Sequence, residues 1–208
     1  YIQNEKESNL TATNFDFPFD PRLFSLQDGD IAEFSAEAID RMPDRDLSSS
    51  RTVSFFVVGP EKHAQLIRER MEAIIALTSE IAREQESLLM ETIEIEEMVE
   101  GREESLDPKT EQKLSKLADM QRANARNLRN NADEGMKVLE EAARNPIFDQ
   151  KAIEDFTETL EKMKKVASSK MNFASSKMNE AQASPPSSAT ESLSEAEQLE
   201  RAAISELQ

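Results

Sequence analysis

The residues with which this sequence could do chemistry are few. It has one histidine, His63, and no cysteine. A lone histidine has no second imidazole or thiol to work with, so a conventional nucleophilic triad is unavailable. His63 reads as a surface residue rather than a base or ligand. Seven glutamates, Glu91, Glu94, Glu96, Glu97, Glu100, Glu103 and Glu104, are dense enough to suggest a divalent cation. Calcium needs about six to eight oxygens converging on one point. On a helix these seven spread round much of the circumference and read as a solvated face. Asp28, Asp30 and Asp40 flank a predicted strand and echo calcium-bearing loops, but one strand end supplies too few ligands. Met71, Met163, Met171 and Met178 could line an adaptable groove. At heptad spacing they read as packing. No catalytic, cofactor-binding or metal-ligating residue is assigned, no cofactor is implied, and the expectation is a chain without enzymatic activity.

Composition narrows the partners. The formal net charge is −17, from 25 basic and 42 acidic residues among 208. Such a chain repels nucleic acid and anionic lipid. Hydrophobic residues make up 38% and charged residues 32%, which suits elongated helices with much surface and little core. The absence of cysteine excludes disulfides and thiolate metal sites. No apolar run reaches the length of about 18 residues that a membrane span requires. The chain starts at Tyr1 and stops inside a helical pattern, which reads as a fragment of a longer protein.

The elements that must position these residues divide at Gly59-Pro60. Seven of the 10 phenylalanines precede it. Ile31–Asp40 alternates apolar and polar residues, as a half-buried strand does, after an Asp28-Gly29-Asp30 turn signal. Thr52–Val58 reads as a second strand, antiparallel to the first, with Met42–Ser50 as the polar connection. Phe15–Phe19 alternates too, but Pro18 and Pro21 confine it to an edge or an extended loop. The pattern predicts an open edge and an apolar face, with Phe15, Phe17, Phe34 and Phe55, that lacks a covering sheet.

Beyond Pro60 the pattern is helical. Ile67, Met71, Ile74, Thr78, Ile81, Gln85, Leu88, Thr92, Ile95 and Val99 alternate three and four apart. That keeps one stripe on a partner helix for roughly 60 Å. The spacing predicts helices over 60–100, 108–144 and 149–182. A linker at 183–190 follows, with Pro185 and Pro186. A further helix, at 191–208, starts from a Ser194/Glu197 capping box and is cut short by the fragment end. The short loop predicts that the first two helices fold back as antiparallel arms. Paired positions sum to about 209, setting Gln85 near Asn124, Thr78 near Asn131 and Ile74 near Gly135. Bulky Ile and Leu on one arm then meet Ala and Gly on the other, allowing close approach. On that reading Gln85→Leu alone is neutral or stabilising. The hexapeptide Ala-Ser-Ser-Lys-Met-Asn occurs at 167–172 and again at 174–179. It is either a duplicated heptad on a weak helix or a small-residue face where another helix docks. The expected class is α+β, mostly α: a short antiparallel β segment over 1–59, then a long helical hairpin or coiled coil.

This order of elements resembles the middle of large bacterial membrane-anchored proteins of unknown function. The residues that carry the resemblance are Leu26-Gln-Asp-Gly-Asp-Ile, Phe34-Ser-Ala-Glu-Ala-Ile-Asp-Arg and Ser54-Phe-Phe-Val-Val, like the last strands of an immunoglobulin- or cadherin-like module. They run into a helix headed by Pro60-Glu-Lys-His, with Asn124-Ala-Arg-Asn-Leu-Arg in the second arm. The resemblance implies an extracytoplasmic, membrane-tethered setting. It supplies no functional residues, because the family's function is not established. Two functions fit: a structural or interaction coiled coil whose partner is a protein helix or a second copy, or the non-catalytic stalk of a larger envelope enzyme such as a hydrolase. A third, a polypeptide chaperone or secretion adaptor, needs an apolar hairpin tip, whereas Met98–Asp107 is acidic.

Overall fold

The computed structural model describes residues 16–38, 47–101 and 106–208, and the chain divides into two compact units between Gly59 and Pro60. Phe15, Asp40, Met42–Asp46, Glu103 and Glu104 therefore lie outside the described residues.

The first unit is a small antiparallel β arrangement. Strands β1 (Ile31–Phe34) and β4 (Val53–Phe56) pair with Ala32 opposite Phe55, and β2 (Glu37–Ala38) pairs with β3 (Ser48–Ser49). The predicted strand over Ile31–Asp40 is thus interrupted, and part of the expected polar connection is itself paired. Between the two pairs, Ser50 N donates to Ala36 O at 2.8 Å, and Ala36 N donates to Ser50 Oγ at 2.8 Å. Asp28 and Asp30 serve backbone amides: Gly59 N donates to Asp28 Oδ1 at 2.7 Å and Gln27 N to Asp30 Oδ2 at 2.7 Å. Residues 16–20 form no helix or strand, and Pro21–Phe24 forms a single 3-10 turn.

Phe34 gathers the aromatic rings. Phe19 and Phe55 lie edge-on to it at 4.8 and 5.4 Å, and Phe17 at 6.4 Å. The cluster stays wet. Phe17 and Phe55 are exposed, Phe34 is half-buried, and Phe56 on the other face is 72% exposed. Among the described residues the expected apolar face is thus open at Phe17 and Phe55.

The second unit is a helical bundle. Its helices are α1 (Pro60–Val99), α2 (Pro108–Ala142), α3 (Gln150–Val166), α4 (Asn172–Gln182) and α5 (Pro186–Leu207). Each boundary has a local cause. Gly101, at φ +75°, supplies the left-handed residue that ends α1. Asp107 caps α2, accepting from Lys109 N and Thr110 N at 3.1 Å, with Pro108 in the first turn. Asp149 caps α3 through Ala152 N. The fourth predicted helix begins earlier than its Ser194/Glu197 signal. Pro185 and Pro186 do not form a linker; they occupy the cap and first positions of α5, where a missing N–H costs nothing. The 183–190 linker shrinks to three residues, and Ser194 lies inside the helix.

Helix α1 and helix α2 are antiparallel, and the seam is satisfied within the chain. Ile74, Ile81 and Leu88 are 5%, 1% and 3% exposed. The register matches the expected sum: Thr78 meets Asn131, and Gln85 meets Asn124. At Gly135 a third helix also arrives: a Cβ there would stand 2.6 Å from Leu160 Cδ2 of α3. Helices α3 and α4 are one continuous helix interrupted by a π turn at Ala167–Met171. The first copy of the repeated hexapeptide forms that turn. An extra residue in the turn shifts every later side chain round the axis. Before it Leu160 packs on α2; after it Met171, Ala174, Ser175 and Met178 are all buried. The small residues therefore do form a docking face: Ser175 Oγ donates to Ala118 O of α2 at 2.8 Å. Helix α5 packs on both α4 and α1 and completes a four-helix bundle beside the upper half of α1.

Candidate functional site

The bundle's apolar core falls into two clusters, and a polar layer separates them. One cluster holds Ile81, Ala125, Met171 and Ala203; the other holds Leu88, Ala118, Met178 and Ala196. Between those positions in the chain lie Gln85, Gln121, Asn124, Ser175 and Glu200. Every helix of the four-helix section thus places a polar group at the same level. All five are buried, and Glu200 is 0% exposed.

The geometry of the layer is specific. Gln85 and Gln121 form a reciprocal amide pair, each Nε2 donating to the other's Oε1 at 2.9 Å. Asn124 Nδ2 donates to the Ile81 carbonyl at 3.2 Å and to Gln85 Oε1 at 3.4 Å. Gln85 Nε2 also donates to Glu200 Oε1 at 3.2 Å, tying α5 to the α1–α2 pair. Among the described residues, Asn124 Oδ1 and Glu200 Oε2 are buried acceptors without a hydrogen-bond partner.

An ionised carboxylate there is poorly served. Burial pushes the Glu200 carboxyl up to about 8, the Thr92 hydroxyl and Gln85 amide oppose this, and the nearby Glu197 charge adds to it. The Thr92 hydroxyl proton goes to the Leu88 carbonyl at 3.0 Å. Burial therefore favours the protonated, neutral form of Glu200, and Oε2 has no hydrogen-bond partner to hold a charge.

A second carboxyl pair lies close by. Burial raises Glu96, and a hydrogen bond with the Glu197 carboxyl raises it further. Glu197 in turn accepts from Arg201 Nε at 2.6 Å. The neighbouring Glu197 carboxyl thus favours the neutral form of Glu96. Glu96 therefore departs from the expected solvated face: it is half-buried between α1 and α5. No group of three or more histidine, cysteine or acidic residues suited to a metal occurs among the described residues.

The other candidate residues have structural partners. Asn145 Nδ2 lies 3.2 Å from His63 Nδ1 and donates to the Pro60 carbonyl at 2.8 Å, closing the end of the α1–α2 pair. Asn131 Nδ2 donates to the Ile74 carbonyl and to Thr78 Oγ1, both at 2.9 Å, as a second polar step in the seam. Met163, Met171 and Met178 are core, and Met71 is half-buried. Glu200 is the residue that sequence reasoning missed. Its signal was an acidic residue on the α5 stripe of Ala189, Leu193, Ala196 and Ala203. No helix among the described residues is long and apolar enough to cross a membrane. Comparison with known proteins settles nothing further: no family model, no curated protein and no solved structure matches the chain.

Proposed function

We propose that this chain is a non-catalytic structural and interaction region: a helical arm that sets a fixed distance and presents helix faces to a protein partner. The observation that carries the reading is the buried polar layer joining α1, α2 and α5. Hydrogen-bonded polar layers weaken a core relative to apolar packing but fix register and partner choice. A helix of 40 residues held in one register extends about 60 Å. Such a device suits a spacer or docking arm, in which position along the axis is the useful quantity. The bacterial, membrane-tethered setting and the immunoglobulin-like character of the first unit belong to the same proposal and rest on the sequence resemblance.

A replacement series tests it. In the full-length host protein, residues 60–208 are exchanged for an unrelated antiparallel bundle of equal length, and separately shortened by two heptads per helix. A spacer tolerates the exchange and fails on shortening; a docking arm fails on exchange. If both replacements leave the host protein's function intact, the reading is wrong.

A further inference from the structure

Helix α5 sits in two seams of different chemistry. Against α4 and the π turn it is ion-paired: Lys177 Nζ lies 2.7 Å from Glu195 Oε2, and Lys170 Nζ lies 3.4 Å from Glu206 Oε1. Hydrogen bonds to Glu180 and Glu195 hold the Lys177 ammonium well above its ordinary range, so that pair persists into alkaline solution. Against α1 the seam is built from acids and amides. Glu200 Oε1 accepts from Gln85 Nε2 at 3.2 Å, and the Thr92 hydroxyl lies beside the same carboxyl. Glu197 hydrogen-bonds Glu96 of α1, and Gln208 Nε2 donates to Glu86 Oε1 at 2.9 Å. Arg201 faces this seam beside Leu89, but it belongs to α5 and is paired with Glu197 at 2.6 Å, so its charge moves with α5. At the level of Glu200, α2 contributes the neutral Gln121 and Asn124, and α4 the neutral Ser175. Lys164 of α3 is engaged by Asp133 of α2.

The two seams respond differently to proton loss. The Glu200 side chain is fully buried and its Oε2 has no hydrogen-bond partner among the described residues. An ionised carboxylate there must stay unpaired in the core or reach water. Separating α5 from α1 brings water to it, because its polar partners on that side belong to α1. Separating α5 from α4 would break the Lys177 and Lys170 pairs and leave Glu200 against α1. The α1–α2–α3 packing has ties of its own, through Asn131 to Ile74 and Thr78, Asn145 to Pro60, and Arg70 to Glu141. We propose that α5 is a hinged helix: it parts from α1 when the carboxyls of that seam ionise, and it stays on α4, whose side is held by lysine ion pairs. The movement uncovers Leu89 of α1 and Ile204 of α5, which line one shallow depression in the closed bundle. The device goes beyond the spacer or docking reading and stands without it.

Because the chain has no cysteine, spin labels report from chosen sites alone. Nitroxides on Ser87→Cys with Gln198→Cys span the α1–α5 seam, and on Ser176→Cys with Gln198→Cys the α4–α5 seam; all three sites are exposed. Double electron–electron resonance on the full chain at pH 6 and pH 9 reads both distances. The expected result is a single α1–α5 distance at pH 6 and a second population longer by about 5 Å, one helix radius, at pH 9, with the α4–α5 distance unchanged. Glu200→Gln should abolish the longer population, and Glu96→Gln should shrink it. Circular dichroism checks that each variant is folded, and if Glu200→Gln is not, Glu96→Gln carries the comparison. The proposal is overturned if the α1–α5 distance is the same at both pH values, if both distances lengthen together, or if neither variant diminishes the longer population.

Discussion

Glu200 ties bundle stability to pH, and the sign follows from its burial. Its carboxyl is raised from the ordinary 4.5 to about 8. The folded state therefore holds a proton that the unfolded state releases between those values. Stability from this group is complete below pH 4.5 and is lost as pH rises through 8. The gap between the two values corresponds to about 5 kcal/mol, an upper figure because real interiors relax around a charge. That is a large share of the stability of an ordinary domain. Glu96, raised by burial and by Glu197, acts in the same direction.

The perturbation that isolates Glu200 is Glu200→Gln. An amide keeps the shape, keeps an acceptor for Gln85 Nε2 and supplies a permanent donor on the other side. Urea unfolding followed by circular dichroism at pH 5, 7 and 9 gives the assay. At pH 5 the variant should match the parent within about 1 kcal/mol. At pH 9 it should be the more stable, by several kcal/mol and at most about 5. The chain's net charge of −17 also weakens the bundle at high pH, but it does so in both proteins, so the difference between them is the readout. Parallel stability–pH curves for parent and variant would refute the burial argument.

Other substitutions probe the packing. Ile81→Ala should cost about 2–5 kcal/mol in urea unfolding, since the side chain is 1% exposed in the seam. Gly135→Ala should cost about 1–3 kcal/mol despite the better helix propensity of alanine, because the new methyl meets a fully buried Leu160; with Leu160→Ala in the background, the penalty should vanish in a double-mutant cycle. Gln85→Leu alone should destabilise by about 1–3 kcal/mol, because it strands Gln121 and Glu200, whereas joint replacement of Gln85, Gln121 and Glu200 by Leu should stabilise the monomer while loosening its register, read by broadened amide NMR signals. Acidification below pH 4 should release the Lys164–Asp133 pair between α3 and α2, since the Lys164 ammonium holds the Asp133 carboxyl below its ordinary range; the Asp133 side-chain chemical shift checks the direction.

The revised outcome for Gln85 marks where sequence reasoning ran out. Two-helix logic found the α1–α2 register, because apolar residues three and four apart identify the stripe and a short loop fixes the direction. The same logic assigned Gln85 one partner on α2, and on that basis its loss was tolerable. The third contact comes from Glu200, 115 residues further along, on a helix whose start was misplaced by treating a Pro-Pro pair as a linker. Proline breaks helices in their interior and begins them at the first turn, and composition alone does not separate the two cases. The approach of Leu160 to Gly135 was likewise out of reach of two-helix pairing, because it comes from a third helix.

The same residues show how the buried stripe of α1 widens beside α5. Between Ile81 and Val99, α1 buries a wide stripe that includes Ala82, Leu89 and Gln85; between Ala64 and Thr78 it buries only a narrow one. A narrow stripe suffices for three helices and a wide one is needed for four. The change falls beside the polar layer. If α5 loosens as Glu200 ionises, Ala203 and Leu207 leave the core, so amide exchange in α5 should quicken between pH 6 and pH 9 in the parent chain more than in Glu200→Gln. Equal pH dependence in both proteins would separate the acid in the layer from the packing of α5.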